Sequence, residues 1–347
     1  MRTPLANNYQ FKVSVLMPVY NSSSFIKEAV ESILNQTYTN FELLIYDDHS
    51  TDNTIELVEG YKDSRITLFR KDKNTGYTNS LIMGITKSTG KYIARMDSDD
   101  ISDLKRFEKQ VNFLEANPEY GIVGSQLKTI ATDEASQVWS YPATDEDIRL
   151  HTIIDSPFAH PSVMIRKDVL DKHELSYDAS FEPSEDYKLW VDLLKVTKGA
   201  NINEVLVYYR LHKNQTISTK KNIRIKNSNL IRQEIVKDFF DCRLTDEELM
   251  VHYYYFNEIS INSSGSIMEK YMWRKKMLGW FDESDFHQKA RLLVEEYWVI
   301  NLRTLSGFRP SFIKFIFNKF LVKNFSILET FKFGIKCLVG YKVSKSI

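Results

Sequence analysis

The chain has 347 residues, far above the size at which a polypeptide struggles to bury a core, and at roughly 150 residues per domain that length suits two domains. With 43% hydrophobic and 27% charged residues, the composition excludes a disordered, collagen-like or low-complexity chain. Forty-six basic residues balance forty-six acidic ones, so no overall field draws the protein onto nucleic acid, and any anion it binds must be recognised locally. Two cysteines, Cys242 and Cys337, are too few and too isolated for a disulfide framework or a cysteine-based zinc site, which points to a reducing cytosol. The first residues lack an apolar signal region, and no apolar run reaches the ~18 residues needed to span a bilayer. The expectation is a cytoplasmic protein that is neither secreted by that route nor integral to a membrane.

In chain order, the apolar β-branched run Val13-Ser14-Val15-Leu16-Met17 ends at Pro18 and is followed by a helical period through Ile26, Val30, Ile33 and Leu34. Phe41 to Tyr46 repeats the theme, ending in Asp47-Asp48 with helical Ile55, Leu57 and Val58 behind it. Ile66 to Phe69 predicts a third strand, Ser80 to Ile85 a helix, and Tyr92 to Met96 a fourth strand ending in Asp97-Ser98-Asp99-Asp100. A helix through Phe107, Val111 and Leu114, a strand at 121–124, a polar stretch to about 160, a strand at 162–165, a helix from Ser184 and a strand at 202–209 complete this part. Strands separated by single helices predict an α/β protein whose mostly parallel sheet carries helices on both faces. Beyond about 220 the pattern turns helical, rich in aromatics and Lys, apart from an ambiguous 252–256. The predicted organisation is an α/β domain over 1–218 and a helical region over 219–347.

The polar clusters Pro18-Val19-Tyr20-Asn21, Asp47-Asp48 and Asp97-Ser98-Asp99-Asp100 each follow a strand directly. Carboxyl ends of parallel strands share one sheet edge, the edge at which ligands bind in open α/β sheets. Closely spaced carboxylates suit a hard divalent cation, Mg²⁺ or Mn²⁺, shared with substrate phosphates. Taken singly, each Asp cluster reads more readily as a turn capping the next helix, since Asp and Ser are the common cap and turn residues, and Tyr20 as a loop residue packed on its own helix. Their convergence beside Tyr20, an aromatic plane suited to a base, favours a nucleotide diphosphate.

These blocks resemble family 2 of the inverting glycosyltransferases, which have the GT-A fold. The resemblance runs from residue 12 to about 216 through Val13 to Asn21, Ser32-Ile33-Leu34-Asn35-Gln36-Thr37-Tyr38, Phe41 to Asp52 and Tyr92 to Asp100. It implies that Pro18, Val19, Tyr20, Asn21 and Asp48 hold the nucleobase, that Asp97 and Ser98 lie near the ribose, and that Asp99 holds the diphosphate metal. Within Tyr209-Arg210-Leu211-His212, His212 would complete that site. Asp186, in Ser184-Glu185-Asp186, would be the general base, and His160 with Glu185 would line the acceptor side. Relatives carry an Arg-Asn pair where this chain has Leu81-Ile82, so Arg95, two residues before Asp97, is expected to supply the missing charge.

Ser184 is a natural helix N-cap, and a helix N-terminus favours an ionised carboxylate at Asp186, the form a base requires. The Gln-x-x-Arg-Trp motif of processive synthases is absent, which predicts addition of one sugar. The expected donor is a nucleotide sugar, UDP-linked, and the expected acceptor a glycan or lipid-linked glycan hydroxyl, read by variable loops within 125–160 and 176–184. Two other readings stand beside this one: a sugar nucleotidylyltransferase, whose glycine-rich loop after the first strand is missing here, and a binding module without turnover. Residues 311–347 carry seven Lys against one acid, Glu329, interleaved with seven Phe, a composition suited to peripheral membrane contact or to a helix packed with snorkelling Lys stems. Trp273, Trp280 and Trp298 are expected in the core of the helical region.

Overall fold

The computed structural model describes residues 10–130, 135–212, 220–257, 264–281 and 284–305. It divides into two compact units, the first ending at Ile231 and the second beginning at Arg232, so the division falls inside a helix rather than in a linker.

The first unit is built on a nine-stranded sheet. Strands β1 (Val13–Val19), β2 (Phe41–Asp47), β3 (Ile66–Arg70) and β4 (Tyr92–Arg95) lie in the order β3-β2-β1-β4, all parallel. Helices α1 (Ile26–Leu34), α2 (Thr54–Glu59) and α3 (Tyr77–Lys87) make the crossovers. Every residue of β1 is buried, as a strand covered on both faces must be. Its period of two sorts the core. Val13, Val15, Met17 and Val19 join Leu43, Ile45, Tyr92 and Ala94 on one face, packed with Val30 and Ile33 of α1 and with Phe107, Val111 and Leu114 of α4 (Arg106–Ala116). Leu16, Leu44, Tyr46 and Ile93 point the other way, onto Leu81 and Ile85 of α3 and Leu189, Trp190 and Leu193 of α7 (Glu185–Val196). Each such buried apolar side chain contributes about 1.5–3 kcal/mol relative to exposure.

Beyond β4 the sheet becomes mixed. Strand β8 (Met164–Arg166) pairs antiparallel with both β4 and β6 (Tyr120–Ile130), β6 runs parallel to β9 (Lys198–Arg210), and the two-residue β5 (Ile101–Ser102) pairs antiparallel with β9. The expected helix-flanked, mostly parallel sheet is present, with an antiparallel half added at its β4 side. The polar stretch before residue 160 is not bare loop: β7 (Val138–Trp139) pairs with β6, and α5 (Asp145–His151) is capped by the Thr144 hydroxyl, which accepts from the Asp147 N–H. Helix α6 (Lys167–Lys172) follows β8.

The chain then enters α8 (Lys221–Phe240), whose first part belongs to the first unit. The second unit continues through α9 (Asp246–Asn257), α10 (Ser264–Leu278) and α11 (Asp285–Leu305). The ambiguous 252–256 is therefore helical; His252, Tyr255 and Phe256 are buried one turn apart, a spacing that serves a helix face. Trp273 is buried against Trp280, with ring centroids 5.5 Å apart, and Tyr255 donates to the Val294 carbonyl at 2.6 Å. The side chain of Trp298 and the whole of 311–347 lie outside the described residues. Among the described residues, no helix is long and apolar enough to cross a membrane.

Candidate active site

The order β3-β2-β1-β4 makes the gap between β1 and β4 a topological switch point, because the chain runs from β1 through β2 to β3 on one side and then returns from β3 to place β4 on the other. The register pairs Val19 with Asp47 and Leu16 with Arg95, so the segments after β1, β2 and β4 emerge at the same sheet edge.

The β1 and β2 loops brace each other. Asp48 donates its backbone N–H to the Val19 carbonyl, Asn21 donates its N–H to the Ser50 hydroxyl, and Asn21 Oδ1 accepts from the Thr51 N–H at 2.8 Å. Asn21 (φ 48°) and His49 (φ 68°) both hold left-handed conformations, a local cost that recurs where loops are shaped for a ligand. Tyr20 is 50% exposed and Asp48 only 3%. The Asp48 carboxylate takes Lys71 Nζ at 3.0 Å and the N–H groups of Thr75 and Gly76 at 2.9 Å each. Gly76 (φ 89°) needs glycine there, since a Cβ would be strained and would stand 3.0 Å from Glu182 Oε2. Asp48 therefore folds the loop before α3 over the site, and Lys71 brings a cation that the sequence pattern did not single out. Leu81 is buried in the core of α3, where no charged group could serve a ligand.

The β4 loop gathers the acids. Ligand oxygens of Asp97, Asp99 and Asp100 all lie within 4.8 Å of one another. Arg95, buried at the end of β4, is ion-paired with Asp97, while His212 Nε2 stands 2.8 Å from Asp99 Oδ2. Arg210 donates from Nε to the Asp99 carbonyl at 2.8 Å and from its backbone N–H to Asp100 Oδ1 at 2.9 Å, so the end of β9 is stitched to the acidic loop. Ser98 sits across from Ser22, with hydroxyls 2.7 Å apart. Beneath the loop, fully buried Arg106 donates to the Arg95 carbonyl at 2.8 Å and the Val163 carbonyl at 3.2 Å.

These residues fit a divalent cation. Asp100 is fully buried, and its Oδ2 has no partner among the described residues. Burial pushes Asp100 well above the usual carboxylate range, with the charges of Asp97 and Asp99 adding to it, a cost that a cation would relieve. The sequence places Asp100 in the acidic run but gives the metal to Asp99 and His212; its burial adds Asp100 to that set.

On α7, Glu185 is 1% exposed and accepts from the Tyr77 hydroxyl at 2.9 Å; Asp186 Oδ1 accepts from the Tyr187 N–H at 2.7 Å. Burial, followed by the charge of Asp186, raises Glu185 to about 8. Asp186 is raised by burial to about 6, against the lowering effects of the Tyr187 N–H and Arg224. The helix terminus thus restrains a larger desolvation effect, and Asp186 is poised just below neutrality rather than depressed. Ser184 does not cap α7: its hydroxyl is directed to α8, 3.1 Å from Ser228 Oγ and 3.3 Å from the Arg224 carbonyl. Arg224 itself pairs with Asp155 at 3.0 Å.

His160 Nε2 stands 2.9 Å from the Tyr177 hydroxyl, and its Nδ1 is 3.9 Å from Glu185 Oε1. Burial and the nearby Arg95 charge hold the imidazole neutral. His160 and Glu185 are therefore neighbours, as are Arg95 and Asp97, and Asp99 and His212. Lys71, Tyr77, Asp155 and Arg224 come to these groups from segments whose patterns carry no signal for them.

A GT-A sheet whose switch point carries a cation-competent acidic loop, with a near-neutral carboxylate on a neighbouring helix, defines a glycosyltransferase scaffold. The sequence profile described as Glycosyl transferase family 2 matches residues 14–173. An uncharacterized glycosyltransferase of Haemophilus influenzae is 31% identical over 92% of this chain and 96% of its own length. A UDP-Glc:alpha-D-GlcNAc-diphosphoundecaprenol beta-1,3-glucosyltransferase of Escherichia coli is 28% identical over 65% of this chain and 87% of its own. Among solved structures, a mannosyltransferase of Pyrobaculum calidifontis in complex with GDP-Man and Mn²⁺ shares the fold, with a TM-score of 0.54 at 14% identity over 86% of this chain and 88% of that one. The chain belongs to glycosyl transferase family 2.

Proposed function

We propose that the protein is a metal-dependent inverting glycosyltransferase that moves one sugar from a UDP-linked donor to a hydroxyl of a glycan or lipid-linked glycan, forming a β-linkage. The juxtaposition of the Asp97, Asp99 and Asp100 cluster with His212 carries this reading. Tyr20, at 50% exposure, offers its ring to the base, flanked by Pro18, Val19 and Asn21, with Asp48 at the polar edge. Asp97 and Ser98 face the ribose; Arg95 acts through its ion pair with Asp97. Asp99, Asp100 and His212 would hold the cation.

When bound, a divalent cation stabilises the negative charge of the departing diphosphate, worth several kcal/mol. Asp186 takes the proton of the acceptor hydroxyl as its oxygen bonds to the anomeric carbon; the bond from that carbon to the diphosphate oxygen breaks, and its electron pair leaves with the nucleotide. One displacement inverts the centre, so an α-linked donor gives a β-linked product. Glu185 and neutral His160 line the acceptor side. The UDP donor and lipid-linked acceptor follow the name of the Escherichia coli relative; the cation follows the acidic cluster and the Mn²⁺ of the mannosyltransferase complex.

The test is release of the nucleoside diphosphate, UDP or GDP, from a panel of UDP- and GDP-sugars with and without Mn²⁺. Release from a UDP-sugar that stops on chelation is expected; release that persists unchanged in chelator would overturn metal dependence, and no release from any donor would overturn the reading.

A further inference from the structure

An exposed tryptophan stands beside this site, and the chemistry described so far does not use it. Trp139 is 37% exposed in β7, next to Val138 at 56%, although this strand contributes only two residues to the sheet. Its ring centroid lies 5.4 Å from that of Tyr209, at a tilt of 38°. Tyr209 immediately precedes Arg210, the residue that ties β9 to Asp99 and Asp100. Two residues after Trp139, Tyr141 packs with Tyr209 on Leu127, Ala159 and Val207, and its N–H and carbonyl both bond the Gln126 side chain. Burial raises the Tyr141 phenol, and the charges of Asp155 and Asp186 raise it further; burial likewise raises Tyr209, with Asp97, Asp100 and Asp99 adding to it. The strip Trp139-Tyr209-Tyr141 thus runs from solvent to within electrostatic reach of both the acidic loop and the base.

We infer that Trp139 is the stacking platform for a sugar ring of the acceptor. A pyranose presents a face of C–H bonds, which is matched by an exposed aromatic plane. This assignment rests on the transferase reading for the word acceptor, but not for the binding itself.

The intact chain labelled with 5-fluorotryptophan, observed by fluorine NMR, separates the possibilities. Its five tryptophans give signals of which one disappears in Trp139→Phe, which assigns Trp139. Methyl and octyl β-glycosides of glucose, galactose and N-acetylglucosamine serve as probes, with 1-O-octylglycerol as the lipid control. The expected result is a glycoside-dependent shift of the Trp139 signal in the wild type, with affinity, measured by isothermal titration calorimetry in all three proteins, weakened about tenfold in Trp139→Ala and less than threefold in Trp139→Phe. Donor hydrolysis without acceptor should be unchanged in both variants, a result that a merely structural role for the ring would not give.

Equal glycoside affinity in Trp139→Ala overturns the assignment, as does a Trp139 signal unmoved by every glycoside at tens of millimolar. Competition by 1-O-octylglycerol as strong as that of the glycosides overturns it in favour of a lipid surface. If the wild type hydrolyses no donor while glycoside binding still depends on Trp139, the platform stands and the transferase reading falls. If hydrolysis is intact and binding is independent of Trp139, the reverse holds.

Discussion

At the end of β4, three aspartates stand against basic side chains: Arg95 pairs with Asp97, the His212 ring meets Asp99, and Arg210 binds the loop backbone. At the start of α7, Glu185 and Asp186 stand among phenols, amides and each other, with Tyr77 on one and the Tyr187 N–H on the other. Burial raises Asp97 and lifts Asp100 well above the usual carboxylate range, so the first group needs Arg95 and a bound cation to hold its charges. The second is desolvated with little compensation, so its protons come off near neutrality, Asp186 at about 6 and Glu185 at about 8. Carboxylates thus serve opposite purposes within one site, and the neighbours decide which.

The strongest way to break this contrast is at the charged group. Asp99→Asn should lower cation-dependent turnover about 10³-fold, since several kcal/mol of leaving-group stabilisation is lost, measured as UDP release against Mn²⁺ concentration. An unchanged cation dependence would remove Asp99 from the site. At the poised group, Asp186→Asn should cost ~10²- to 10⁴-fold in turnover while UDP binding by calorimetry stays within twofold. Retained turnover would leave Asp186 without its role.

The wild-type pH profile should show kcat/KM falling below about pH 6, because Asp186 is raised to that value and works only when deprotonated. Asp155 raises Asp186 and Arg224 lowers it, so Asp155→Asn should move the acid limb to lower pH and Arg224→Met to higher pH. Limbs that move in the opposite senses would contradict the electrostatic account.

The smallest effect concerns stability. Glu185 holds its proton more tightly folded than unfolded, so its contribution is complete below its ordinary value of 4.5 and is lost as pH rises to about 8. The melting temperature of Glu185→Gln relative to wild type should therefore climb between those pH values and level off above them. A flat difference would mean that Glu185 is already ionised at neutral pH.

The sheet and its acidic edge are written locally. The all-buried run of β1 and the period-two sorting of Leu43 to Tyr46 follow from alternation alone, and a strand followed at once by Asp97-Ser98-Asp99-Asp100 announces its own position. Residues 138–139 and 145–151 were hidden, because a two-residue strand has no period to read and α5 is as polar as a loop. The Ser184 cap failed for a tertiary reason: α8 offers the hydroxyl two partners, Ser228 and the Arg224 carbonyl. Lys71 and Arg224 look like any surface cations until the fold brings them to Asp48 and Asp155.

By itself, then, the order of residues determined the strands, their crossovers and which edge of the sheet would collect carboxylates, since periodicity and strand-end chemistry act over a few neighbours. Only the folded chain decided how each acid is charged. Desolvation and Coulombic effects depend on groups that lie far apart in sequence, as Arg210 does from Asp100 and Arg224 from Asp186, and no local pattern encodes their approach.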